Sequence, residues 1–174
     1  MTTDEQNSLF ASWLAQHAAV LHHVANGFAE GADRHDLMQE LMLAVWRAVP
    51  VFRGGAQAST FIYRVAHNTA LTWRRTQKNY QSRVDRFEAQ AVVEAAAAPS
   101  GTASREGEAL EHIYAAIRRL PPLDRSLILL HLDGVAYSEI AEIHGLTESN
   151  VGVRLNRLKQ KIITALEEIS HELR

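Results

Sequence analysis

Between Thr60 and Lys78 the chain reads TFIYRVAHNTALTWRRTQK, a stretch in which rings and cations alternate. Phe61, Tyr63 and Trp73, with Phe52 in the segment before, are interleaved with Arg64, Arg74, Arg75 and Lys78. Single-stranded nucleic acid asks for this mixture: cations for phosphates, rings or a pocket for unstacked bases, amides such as Asn68 for base edges. On a helix, Phe61, Val65 and Leu71 or Thr72 would face inward, and Arg64, His67, Asn68, Arg74, Arg75 and Lys78 outward. Taken singly, Trp13, Trp46 and Trp73 fit a core better than a base-stacking platform.

A second constellation lies at YSEIAEIHGLTESNVGVRLN, Tyr137 to Asn156, which reads as a helix-turn-helix. Ala141 is small where two helices cross, and Gly145 suits a left-handed turn. Thr147 is placed to cap the second helix. Val151, Leu155 and Leu158 return to the core. Glu148, Ser149, Gly152, Val153, Asn156 and Arg157 then project outward, where Ser149, Asn156 and Arg157 can donate to bases or phosphates. Arg154, Lys159 and Lys161 are further phosphate candidates. Gly152 inside a helix costs about 1 kcal/mol relative to alanine, which a close approach to the DNA backbone would explain.

The third constellation is a stripe on DLMQELMLAVWRAV. Asp36, Gln39, Glu40, Leu43 and Arg47 follow i+3 and i+4 steps, opposite the apolar Leu37, Leu41, Ala44, Val45 and Ala48. An apolar anchor ringed by charges suits a protein interface, although a lone exposed leucine is also common.

Helices must position all three. Periodicity predicts them at about 5–29, from Asp33 or Asp36 (either a possible cap) to before Pro50, from Ser59 or Thr60 through Asn79, and at 108–119, 122–133, 136–144 and 147–170. The fold class is therefore all-α: two small helical domains, 1–83 and 108–174, joined by a flexible linker at 84–107, the second domain carrying the helix-turn-helix. The linker, VVEAAAAPSGTASREGE in its middle, has little to bury. It is also acidic: from Asp85 to Glu111, only Arg86 and Arg105 oppose Asp85, Glu88, Glu94, Glu106, Glu108 and Glu111.

Composition narrows the choice of function. The chain has 174 residues, 47% hydrophobic and 22% charged, an ordinary globular balance. It lacks cysteine, which excludes disulfides, thiolate metal sites and thiol redox chemistry. No apolar run approaches the ~20 residues of a membrane helix, and the acidic start MTTDEQNSLF is unlike a secretory signal, so a cytoplasmic protein without membrane insertion of its own is expected. Net charge is only −2 but is segregated. Arg64, Arg74, Arg75, Lys78, Arg83 and Arg86 face only Asp85 between Phe61 and Arg86, whereas acids dominate up to Pro50. One face for phosphate and another for a different partner follows. The histidines His17, His22, His23, His131, His144 and His171 do not form a helical zinc pattern, so no metal or cofactor is expected. No nucleophile elbow, phosphate loop or carboxylate pair is visible, so no enzyme is expected.

With both halves in view, the chain resembles the extracytoplasmic-function sigma factors, the small two-domain class of bacterial transcription initiation factors. DLMQELMLAVWRAVPVFRGG followed by STFIYRVAHNTALTWRR resembles the family's region two, and LPPLDRSLILLHLDGVAYSEIAEIHGLTESNVGVRLNRLKQKI its region four. The likeness covers roughly residues 33–80 and 108–165; Leu120-Pro121-Pro122 and Asp133-Gly134 are its sharpest points. It implies that Asp36, Gln39, Glu40 and Leu43 dock on the β′ clamp helices of core RNA polymerase, with region four at the β flap. Phe52, Arg53, Phe61, Arg64, His67, Asn68, Arg74, Arg75 and Lys78 would serve the −10 element, the loop 52–59 holding a flipped base. Thr147, Ser149, Asn150, Arg154, Asn156, Arg157 and Lys159 would serve the −35 element. The resemblance also implies an anti-sigma factor and an acidic linker threading the polymerase's RNA path. Two positions depart from the pattern: Phe61 replaces the usual tryptophan, and Gly152-Val153 a common Lys-Ser pair. A stand-alone repressor or activator using the helix-turn-helix, or an adaptor that has lost DNA reading, are the alternatives.

Overall fold

Thr2 opens the first helix by a reciprocal cap: its hydroxyl accepts the Glu5 amide N–H while the Glu5 carboxylate accepts the Thr2 N–H. The computed structural model describes residues 1–55, 57–88 and 105–172, with side chains given for 1–55, 57–77 and 107–167. Every regular element among these is helical: α1 Thr3–Phe28, α2 Gly31–Ala48, α3 Ala58–Glu88, α4 Arg105–Arg119, α5 Pro122–Leu132, α6 Tyr137–His144 and α7 Glu148–Glu172, with a short 3-10 turn at Val49–Val51. The all-α expectation is met.

Two expected boundaries shift. Neither Asp33 nor Asp36 caps α2; its N-cap is Glu30, without a side-chain cap bond, because Gly31 at φ 55 lets the chain turn straight from α1 into α2. Helix α3 runs to Glu88, past residue 84, and α4 begins at Arg105. Most of the expected linker, 89–104, lies outside the described residues.

In α2 the buried residues are Leu37, Leu41 and Val45, as the apolar stripe requires. In α3 the buried stripe is out of phase with the expectation. Ile62, Tyr63, Ala66, His67 and Ala70 are buried; Phe61, Val65 and Leu71 are half-buried against the core, and Thr72 is exposed. The small Ala66 and Ala70 are fully buried while the larger Phe61 and Leu71 are only half-buried, so packing rather than residue size sets the phase.

The two halves, α1–α3 and α4–α7, share one continuous core. Helix α1 passes α5 so closely that a Cβ at Gly27 would lie 2.6 Å from Leu129 Cδ1. Polar contacts sew the same seam. The Tyr63 hydroxyl donates to the Ser126 carbonyl at 3.2 Å, and Arg118 Nη1 to the Asn26 carbonyl at 3.0 Å. Arg34 pairs with Glu111 at 2.9 Å, and His23 with Asp133 in the Asp133-Gly134 turn. The sequence left the arrangement of the halves open; here they pack on one another.

Candidate nucleic-acid interface

The helix-turn-helix is built as its residues require. Gly145 ends α6 in the left-handed region at φ 65, and Ala141 is buried at the crossing. Thr147 Oγ1 accepts the Asn150 N–H at 3.2 Å, capping α7. Val151, Leu155 and Leu158 are buried, leaving Glu148, Ser149, Asn150, Val153, Asn156 and Arg157 exposed along one side. Val153 is 51% exposed. Arg154 is already held by Asp124 at 2.9 Å, and Lys159 is half-buried. A Cβ on Gly152 would meet Tyr137 at 3.6 Å, so nothing among the described residues demands glycine there.

On α2, Asp36, Gln39, Glu40, Leu43 and Arg47 are all exposed, with Leu43 at 39%. The stripe forms a continuous outward face.

The basic aromatic segment divides. Arg53, Arg64, Asn68 and Arg75 are exposed. Phe52 and Phe61 are half-buried and packed edge-on against Trp13, at 5.1 and 5.9 Å between ring centroids. They support the loop before α3 more than they offer free faces. Trp46 donates from Nε1 to Asn7 Oδ1 at 2.9 Å, and Trp73 is half-buried. The side chain of Lys78 lies outside the described residues.

His67 does not point outward. It is 6% exposed, with Phe28, Tyr63 and His144 around its ring. Burial, and then the nearby His144, push its pKa down to about 4, so the imidazole is neutral at pH 7. Arg74 also turns inward, its Nη1 buried without a partner. Both residues face the seam: His67 meets His144 of α6, and Arg74 shares a cleft with Arg118, Arg119 and Arg125 of α4 and α5. Sequence reasoning passed over Arg118 and Arg125 on the other half, and it gave Asp133 and His144 no part in a seam. Arg125 had a visible signal: a cation within the otherwise apolar α5, LDRSLILLHL.

The family model described as "Sigma-70 region 2" matches residues 9–80, and "Sigma-70, region 4" matches 110–162. The chain is 29% identical over 143 residues to the ECF RNA polymerase sigma-E factor of Escherichia coli (strain K12), covering 78% of this chain and 74% of that one. To the protein of that name in Haemophilus influenzae it is 27% identical over 151 residues, covering 79% and 76%. In fold it is similar to the sigma factor RpoE solved in complex with the anti-sigma factor NepR from Bartonella quintana, with a TM-score of 0.65, 20% identity, and 91% and 96% of the two chains covered. It is also similar to CnrH in complex with the cytosolic domain of CnrY, at 0.62, 18%, and 95% of each chain. The chain belongs to the sigma-70 family, as an extracytoplasmic-function sigma factor. It is a transcription initiation factor that works with core RNA polymerase and promoter DNA, not a stand-alone repressor.

Proposed function

We propose that the two outward faces divide the work of promoter recognition. Asp36, Gln39, Glu40 and Leu43 dock on the β′ clamp helices, and the second half meets the β flap. Arg53, Arg64, Asn68 and Arg75, with Phe52 and Phe61 shaping the loop before α3, serve the −10 element. Arg74, Lys78 and His67 join them once the seam opens. The exposed side of α7, from Thr147 through Ser149, Asn150, Asn156 and Arg157, reads the −35 element, flanked by Arg154 and Lys159. The chain is not an enzyme, acts in the cytoplasm, and is held inactive by an anti-sigma factor. Relatives of known fold occur in such complexes.

The carrying observation is that the two family matches, residues 9–80 and 110–162, stand in the right chain order and each carries an exposed polar face, on α2 and on α7. The packed form cannot use both at once. Promoter elements named for −35 and −10 lie some 25 base pairs apart, ~85 Å at about 3.4 Å per pair. A packed chain of this length is only about 40 Å across. Docking on core polymerase therefore parts the halves. Run-off transcription with purified core enzyme tests the reading: promoter-specific transcripts are expected, and duplex binding without transcripts overturns it.

A further inference from the structure

A cleft of about 450 Å³ opens where the two halves meet, walled by the α1–α2 junction, α3, α4 and α5. Four arginines line it, Arg74, Arg118, Arg119 and Arg125, against the carboxylates of Glu30 and Asp33. Glu30 and Glu111 both pair with Arg118, at 3.3 and 2.7 Å. Among the described residues no carboxylate pairs with Arg74, Arg119 or Arg125.

Two of these cations carry buried donors with nothing to bond. Arg125 is 1% exposed; its Nη2 donates to the carbonyls of Arg118 and Leu120, its guanidinium lies 4.8 Å from the centre of the Phe28 ring, and its Nε has no partner. Arg74 Nη1 is likewise buried and unpaired. Burial, with the neighbouring charges of Arg74 and Arg118, lowers the Arg125 pKa to about 10, so it remains a cation at neutral pH. Like charges gathered in a cleft with orphaned donors call for an anion. Guanidinium forks arriving from several elements suit a tetrahedral phosphate, which accepts from several directions at once. The volume exceeds what one phosphate needs and falls in the range of small-molecule sites. Half-buried Trp73 supplies an apolar wall for the remainder.

We infer that this cleft binds a phosphate-bearing small molecule, of nucleotide size, and that its occupancy holds the two halves together. Arg74 on α3 and Arg119 on α4 would then grip one ligand from both sides of the seam, with the buried Arg125 cation behind them and Arg118 held by Glu30 and Glu111. This goes beyond promoter recognition and makes the seam a sensor of metabolite level.

The test uses the full chain. Inorganic phosphate, pyrophosphate, ATP and a short DNA duplex are titrated calorimetrically at constant ionic strength, with chloride as the control. Arg125 variants risk unfolding, so Arg74→Gln and Arg119→Gln serve as probes. Because the chain has no cysteine, Ser8→Cys and Glu142→Cys, both at exposed positions, accept a dye pair that reports the distance between the halves. The expected result is submillimolar binding of pyrophosphate or ATP, about tenfold weaker in Arg74→Gln, with energy transfer rising on binding. Binding no stronger than chloride, binding unchanged in both variants, binding of duplex alone, or binding without altered energy transfer each overturns the inference. Co-purification of the full chain with core RNA polymerase in nucleotide-free buffer reports separately on the sigma-factor reading.

Discussion

His67 and His144 meet edge-on across the seam, their ring centroids 5.3 Å apart and their planes at 90°. One belongs to the helix of the basic aromatic segment, the other to the first helix of the helix-turn-helix. His144 Nε2 lies 3.0 Å from Ser126 Oγ, and His67 Nδ1 is buried without a partner. Arg64 and Arg75 border the same groove.

Burial lowers the pKa of both histidines, His67 to about 4, and lowers His131 as well. Below the unperturbed value of about 6.5 the unfolded chain binds more protons than the folded one, so stability falls as the pH drops through 6.5 toward 4. His23, raised by its bond to Asp133, acts in the opposite direction: its contribution is full below 6.5 and is lost as the pH rises through its folded value. Urea unfolding at pH 5.5 against pH 7.5 should show a loss on the order of 1 kcal/mol attributable to His67. His67→Phe should shrink the difference between the two pH values; an unchanged difference removes His67 from the account.

Glu40→Lys should abolish co-purification with core RNA polymerase and leave the melting temperature unaltered, since Glu40 is exposed. A variant that still travels with core as the parent does would mean the docking stripe is misassigned.

Gly27→Val should cost about 1–3 kcal/mol by forcing a side chain into Leu129. Combined with Leu129→Ala, it should destabilise less than the two single changes summed. Strict additivity in denaturant titrations would show that α1 and α5 do not meet in solution.

Gly152→Ala has room for its methyl and should raise stability by about 1 kcal/mol through helix propensity. Promoter-fragment binding should nevertheless weaken if α7 approaches the DNA backbone at Gly152. Unchanged affinity with raised stability refutes that approach. Arg157→Ala should weaken binding and reduce its salt dependence by about one phosphate contact.

The helix-turn-helix was legible because local chemistry specifies it. Gly145 must turn left-handed, Thr147 must cap, and Val151, Leu155 and Leu158 must be buried, and each does so. The acidic stripe on α2 was legible for the same reason, through helical spacing. His67 and Arg74 were misread because their surroundings come from residues far along the chain: His144, Arg118 and Arg125. No periodicity within α3 announces that a second half will cover one of its faces. The phase of the α3 stripe failed similarly, since Ala66 and Ala70 attract no attention in a hydropathy reading yet are fully buried. The cap of α2 was missed because Gly31, not an aspartate, makes the turn.

Tyr63, Arg118, His23 and Arg34 join parts of a single polypeptide, so closing the seam is a unimolecular event whose equilibrium dilution does not alter. Capture by a second molecule obeys mass action instead. The fraction of chains recruited into transcription should therefore follow the amount of free core enzyme, while the resting balance between folded-together and parted chains stays constant across the cell's expression range. Making more of this protein adds to both populations in proportion; only a competitor for one of them changes the ratio.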